Sequence, residues 1–291
     1  MKQICVISGK GGTGKTFITA NLAALLDKTI TVDCDVDASN LHLLLKPVNL
    51  EKKLFFAGSE FFIDKDICLD CGACAGLCRF KAIYEKDGRY FIDGSLCESC
   101  GLCMEFCQER AIVERRKACG WEYQSFSEWG PFISASLFPG SDNSGKLVTA
   151  IRKRAEITAG RENEKYERIL IDGPPGIGCP VMASITNTDF ILIAAEPTPS
   201  AVSDLERVLK LAKQFRAQIG AVINKFDLNK NLTARIRKIC AQYGADIIGL
   251  VPFSEKVVDS ISNAEIYVLK NDDNISLELK KIKNGVLRRT S

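Results

Sequence analysis

The sequence predicts an α/β protein, a mostly parallel sheet with helices on both faces, interrupted by a small cysteine-rich insert. Three observations carry this. Short apolar runs alternate with helical patterns along most of the chain. A glycine-rich loop follows the first run. The rhythm then breaks between about residues 62 and 115, where eight of the thirteen cysteines stand.

Gln3–Ser8 and Thr29–Asp33 read as buried strands, with a helix over Lys15–Leu26 between them. Ile169–Asp172, Asp189–Ala194, Ala217–Asn224 and Ile247–Val251 read as further strands. Helical patterns cover Ser200–Phe215, Leu232–Tyr243 and Glu255–Ala264. Strands alternating with helices imply a parallel sheet covered on both faces. The expected domains are therefore a discontinuous one, residues 1–61 and 116–291, and an insert, residues 62–115.

Composition narrows the function. The chain has 291 residues, 46% of them apolar and 26% charged, which is ordinary for a soluble globular protein. A net charge of +3 is too small to argue for nucleic acid. No apolar run is long enough to span a membrane. The N-terminus enters a strand without a signal-peptide pattern, which predicts a cytoplasmic protein. In such a chain thirteen cysteines point to metal rather than disulfides.

The first loop, Gly9-Lys10-Gly11-Gly12-Thr13-Gly14-Lys15-Thr16, fits G-x-x-x-x-G-K-[ST]. Its glycines let successive N–H groups face phosphate oxygens, and the following helix adds its positive end. Lys15 supplies charge to the β- and γ-phosphates, and the Thr16 hydroxyl suits Mg²⁺.

Two lysines in one such loop are unusual. This stretch is similar to the deviant phosphate loop of the MinD/ParA/Mrp ATPases and of the nitrogenase iron protein. The resemblance implies that Lys10 reaches across a dimer interface to the partner's nucleotide, as an arginine finger does. It implies ATP as substrate and an ATP-dependent homodimer, or a heterodimer with a related ATPase. Thr31-Val-Asp-Cys-Asp-Val-Asp-Ala-Ser-Asn-Leu-His42 resembles the family's first switch, with Asp35 as the carboxylate that orients water or touches magnesium. Asp33 and Asp37 fit the same role or surface caps. Ile169-Leu-Ile-Asp-Gly-Pro-Pro-Gly176 resembles the second switch, with Asp172 holding a magnesium-bound water. Asn224-Lys-Phe-Asp227 resembles the base-reading segment, and its N-K-x-D form also resembles guanine readers. Val251-Pro252 resembles the adenine-side segment.

The insert contains CLDCGACAGLC and CESCGLCMEFC, two C-x₂-C-x₂-C-x₃-C runs offset by 29 residues. This is the spacing of bacterial two-cluster ferredoxins, in which the fourth cysteine of each run crosses to the other cluster. Cys68, Cys71, Cys74 and Cys107 are expected to hold one [4Fe–4S] cluster, and Cys97, Cys100, Cys103 and Cys78 the other. Zinc is the rival, since C-x₂-C pairs also bind it. Ferredoxins usually place proline after the fourth cysteine; here Arg79 and Gln108 stand there.

Outside the motifs, Cys179 lies seven residues after Asp172, where the nitrogenase iron protein has a cluster ligand. The position of that protein's second ligand carries Asn143, so Cys179 reads as a transient ligand or a small buried thiol. Cys5 and Cys34 border apolar strands and read as core packing residues, Cys119 and Cys240 as structural or incidental, and His42 as a cap or packing residue. Ile275, Leu279, Ile282 and Val286 share one face of a terminal helix, which Gly285 is expected to interrupt. The whole resembles a MinD-superfamily ATPase with a ferredoxin domain inserted. That implies gating of electron transfer toward a redox partner by nucleotide state. An ATP-dependent assembly or insertion factor for an iron–sulfur or metal cofactor, acting on a metalloprotein partner, is an alternative. A MinD-like positioning ATPase is a third reading.

Overall fold

The computed structural model describes residues 1–160 and 166–290. The chain divides into two compact units: Met1–Lys53 with Gly120–Ser291, and Leu54–Cys119. Eleven strands are present among the described residues. They are β1 (Lys2–Ser8), β2 (Thr29–Asp33), β3 (Val48–Ile63), β4 (Ile83–Lys86), β5 (Arg89–Ile92), β6 (Ile112–Ser127), β7 (Gly130–Leu137), β8 (Arg168–Pro175), β9 (Phe190–Ala195), β10 (Gln218–Asn224) and β11 (Asp246–Val251).

The first unit is built on a sheet in which β11-β10-β9-β1-β8-β2-β7 are joined in that order and β7 pairs with the Gly120–Ser127 part of β6. From β11 to β7 every pairing is parallel, and β6 runs antiparallel to β7. The central strands are continuous apolar runs because helices cover both their faces. Ile4 to Ile7, Ile169 to Ile171 and Phe190 to Ile193 are almost wholly shielded from solvent. β8 lies between β1 and β2, so the carboxyl ends of these three strands stand side by side. Ligands of open α/β sheets bind at such ends.

The terminal helix, Asn274–Thr290, buries Ile275, Leu279, Ile282 and Val286 as the periodicity predicts. It is not interrupted at Gly285. A side chain there would press on Ile248 of β11, with its Cβ 3.2 Å from that of Ile248. The glycine therefore serves close packing of helix on strand. No helix among the described residues is long and apolar enough to cross a membrane.

The second unit carries the sequence repeat into its backbone. Short helices at Ala73–Leu77 and Leu102–Phe106 each follow a glycine with positive φ, Gly72 at 74° and Gly101 at 75°. Asp70 and Ser99, then Lys81 and Arg110, repeat the same left-handed turns. The halves are cross-tied. The Asp64 N–H donates to the Ala111 carbonyl and the Asp93 N–H to that of Ala82, both at 2.7 Å. β4 and β5 form an antiparallel hairpin. Asp87 and Gly88 at its tip both take positive φ, the pair such a two-residue turn requires.

Candidate functional site

In the first unit β1 ends at Ser8 and the helix Lys15–Leu25 begins six residues after the loop's first glycine. Gly14 caps that helix at φ 88°. A side chain at this position would collide with the amide of Asn224. The loop borders a cavity of about 710 Å³ whose lining includes Gly11 to Phe17, Asp35, Asp37 and Pro174.

Lys15 is only 6% exposed. Its Nζ lies 3.0 Å from Asp172 and 3.8 Å from Asp35, yet has no aligned hydrogen-bond acceptor among the described residues. Burial works against its charge, but Asp172, Asp33 and Asp35 outweigh this and hold its pKa above the ordinary value. The result is a charged ammonium with unused donors facing the loop's cavity. The Asp172 carboxylate also accepts from Thr16 Oγ1 at 2.9 Å and from Thr19 Oγ1 at 2.8 Å. Burial, with Asp172 adding to it, raises the Asp35 pKa against the pull of Lys15. The Thr16 hydroxyl and the Asp172 and Asp35 carboxylates are hard oxygen donors beside a phosphate loop, a set that fits Mg²⁺.

Asp33 lies behind this group and is fully buried. It accepts from the Asp35 N–H at 3.1 Å, Ser39 Oγ at 2.7 Å and the Leu41 N–H at 3.2 Å. It thereby fastens both ends of the turn that carries Asp35. Asp37 is exposed on that turn.

Lys10 is not among the residues lining the cavity. Its Nζ is held by Glu196 Oε1 at 2.9 Å, Thr198 Oγ1 at 3.0 Å and Ser200 Oγ at 3.2 Å. Asn224 and Pro252 also lie outside the lining. Asn224 Nδ2 donates to the Thr13 carbonyl at 2.9 Å, and Lys225 Nζ approaches the Gly12 carbonyl at 3.4 Å. Asp227 accepts from the Phe253 N–H at 2.8 Å, beside half-buried Pro252. Glu196, Thr19 and Lys225 escaped the sequence reading. Only the place of Glu196, one residue beyond the apolar run of β9, marks it as a residue at a strand's carboxyl end.

The eight clustered cysteines surround two cavities that lie wholly within the second unit. One, of about 250 Å³, is bordered by Cys68, Cys71, Cys74, Cys103 and Cys107. The other, of about 50 Å³, is bordered by Cys78, Cys97, Cys100 and Cys103. Related N–H groups face the fourth sulfurs: Ala82 N–H to Cys78 Sγ at 3.4 Å and Ala111 N–H to Cys107 Sγ at 3.3 Å. Desolvation, with the thiols of Cys68 and Cys107 adding to it, raises the pKa of Cys74. Desolvation with Cys97 and Cys100 does the same for Cys103.

Among the described residues no three Cys, His, Asp or Glu side chains converge to hold one metal ion. A tetrahedral zinc site would draw four sulfurs to about 2.3 Å from the ion and leave no room between them. The larger cavity, about 250 Å³, has five thiols on its walls, and the smaller, about 50 Å³, has four and much less room.

Cys179 is exposed, which corrects the expectation of a buried thiol. It opens the first turn of the helix Cys179–Ile185, against Gly145. Cys5 and Cys34 are buried in the core as expected, and Cys119 and Cys240 are buried too. His42 is exposed on its short helix, and the cap position is held by Asn40.

Comparison with known proteins bears on the family and the fold. An uncharacterised protein of Methanocaldococcus jannaschii is 34% identical over 283 residues, covering 96% of this chain and 94% of its own length. The septum site-determining protein MinD of a Synechocystis species is 22% identical, covering 92% of this chain and 82% of its own. The MinD of Pyrococcus horikoshii, solved with Mg-ADP, superposes with a TM-score of 0.57 at 19% identity, over 98% of this chain and 95% of that one. Residues 4–267 match the family of CobQ/CobB/MinD/ParA nucleotide binding domains. The chain belongs to that family and is a P-loop ATPase.

Proposed function

We propose that this ATPase works as an ATP-dependent dimer and couples its nucleotide state to electron transfer through two [4Fe–4S] clusters held by the second unit. The observation that carries the reading is the sorting of eight cysteines around two cavities. The larger cavity is lined by Cys68, Cys71 and Cys74 of the first run with Cys103 and Cys107 of the second, and the smaller by Cys97, Cys100 and Cys103 of the second run with Cys78 of the first, so Cys103 faces both. The clusters would supply one-electron transfer. The chain's part is to hold them by Cys68, Cys71, Cys74 and Cys107, and by Cys97, Cys100, Cys103 and Cys78, with N–H groups turned to the sulfurs.

In the first unit, Lys15 and the loop's N–H groups bind the phosphates of ATP. Thr16 and Asp172 hold Mg²⁺, Asp35 orients the attacking water, and Lys10 completes the site of a second subunit. Such a cation neutralises charge on the transferred phosphoryl group. The reading of Lys10 draws support from its position outside its own chain's cavity. A redox protein would receive or deliver the electrons.

Coupling has a covalent route. β3 starts three residues after the helix Leu41–Leu45 that follows the Asp35 turn, and it runs on into the second unit. A turn fastened differently with and without γ-phosphate is a known source of larger motion. Linkage demands reciprocity: cluster oxidation state must change ATP affinity as ATP changes cluster potential. The test is ATP affinity of a hydrolysis-impaired Asp35→Asn variant, oxidised and then reduced. A coupling of about 1–3 kcal/mol appears as about a 5–150-fold difference. Equal affinities with unchanged potentials reject coupling and return weight to the assembly or insertion role.

Similarity to a septum site-determining protein favours a second reading, a MinD-like positioning ATPase. That reading requires neither iron nor any dependence of ATP affinity on oxidation state.

A further inference from the structure

Lys10 and Glu196, far apart in sequence, follow the neighbouring strands β1 and β9 and meet beside the phosphate loop. The three donors of the Lys10 ammonium have three acceptors, all within Glu196–Ser200, which comprises the link from β9 and the first turn of the helix Pro199–Ala212. Lys10 is thus saturated by its own chain. Glu196 is 8% exposed and carries a second lysine: its Oε2 lies 3.1 Å from Lys225 Nζ. Lys225 in turn touches the Gly12 carbonyl. Burial opposes charge on Glu196, but Lys10 and Lys225 prevail and hold its pKa below the ordinary value. One buried carboxylate is therefore shared by the lysine expected to act in a second subunit and by a lysine that stays at home.

We propose that Glu196 is a positioning residue that parks Lys10 in cis, away from the phosphates, until the nucleotide of a second copy competes for it. The proposal rests on the reading that Lys10 acts in trans. The sharing of Glu196 is what makes the exchange feasible. Removing the sole partner of a buried charge is strongly unfavourable. When Lys10 leaves, Glu196 keeps Lys225, so no buried carboxylate is orphaned. Lys10 exchanges one carboxylate and two hydroxyls for the oxygens of a more highly charged γ-phosphate. The parked state also keeps an isolated chain from closing a catalytic site alone. ATP occupancy and assembly are thereby tied to one switchable ion pair.

The test is the dependence of assembly and hydrolysis on protein concentration in Glu196→Gln. This variant keeps an acceptor for Lys10 but removes the charge. A charge-assisted hydrogen bond contributes enough that its loss should lower the midpoint of ATP-dependent dimerisation roughly tenfold. Sedimentation with a non-hydrolysable ATP analogue reads the midpoint directly. Hydrolysis should reach its plateau at correspondingly lower protein concentration, with the shift in the midpoint rather than in the plateau rate. Glu196→Asp, which keeps the charge, should restore the wild-type midpoint at least in part. The shift should vanish when Lys10→Ala is combined with Glu196→Gln.

A folded Glu196→Gln protein with an unchanged or higher midpoint overturns the proposal. If Glu196→Gln does not fold, Ser200→Ala removes an exposed acceptor of the same lysine. It should move the midpoint the same way by about two- to threefold; no movement overturns the proposal equally. The underlying reading fails separately. If Lys10→Ala alone hydrolyses ATP like the wild type at every protein concentration, the trans-lysine is wrong. If Lys10→Ala is inactive and Glu196→Gln shifts nothing, only the parking role is wrong.

Discussion

Asn224 reaches from the end of β10 to donate its side-chain amide to the carbonyl of Thr13, 2.9 Å away in the phosphate loop. Its neighbour Lys225 approaches the next carbonyl back, that of Gly12. The N-K-x-D segment thus braces the phosphate loop. Asn224→Ala should leave the Thr13 carbonyl without this partner. The expected loss is about 1–3 kcal/mol of stability without nucleotide, measured by urea unfolding. Unchanged nucleotide-free stability with a loss of base selectivity would assign Asn224 to the base instead.

Lys15 and Asp35 should separate binding from hydrolysis. Lys15 has unused donors at the phosphate cavity, so Lys15→Ala should weaken ATP binding by on the order of 100-fold or more. Asp35→Asn should retain most of the binding and lose most of the hydrolysis. Calorimetric titration with ATP, beside phosphate release, distinguishes the two. Wild-type ATP affinity in Lys15→Ala would contradict the site.

Asp33 gives the first unit a pH signature. Burial, with the neighbouring Asp172 adding to it, raises its pKa from 3.8 to about 7. Between these values the folded chain holds a proton that the unfolded chain has lost. The associated stabilisation is full below about pH 4 and is lost as pH rises through about 7. Nucleotide-free stability should therefore carry a downward contribution over this window, and Asp33→Asn should remove it. Urea unfolding at about pH 5 and about pH 8, wild type against variant, measures the difference. Identical pH dependence in both proteins would contradict the assignment.

The central sheet was legible because strands buried on both faces are written as uninterrupted apolar runs, such as Ile169-Leu-Ile171. β3 and β6 were not legible. They carry Glu51-Lys-Lys53 and Glu114-Arg-Arg-Lys117, charged stretches whose side chains are mostly exposed, so neither shows that signal. The phosphate loop and the cysteine runs are local motifs whose spacing is itself the chemistry. Glu196 lies outside any motif and acquires meaning only when the sheet brings β9 beside β1. Gly285 misled because glycine usually weakens a helix, whereas here its missing side chain admits Ile248.

The most direct measurement is the iron, acid-labile sulfide and zinc content of anaerobically purified protein, per chain. The account predicts about eight irons and about eight sulfides, the content of two [4Fe–4S] clusters. Cys107→Ser and Cys78→Ser should each disturb one cluster, because in the proposed arrangement each would supply the fourth ligand to the opposite run. Stoichiometric zinc, with no sulfide and no broad visible absorption, would contradict the account and leave a nucleotide-driven ATPase without redox chemistry.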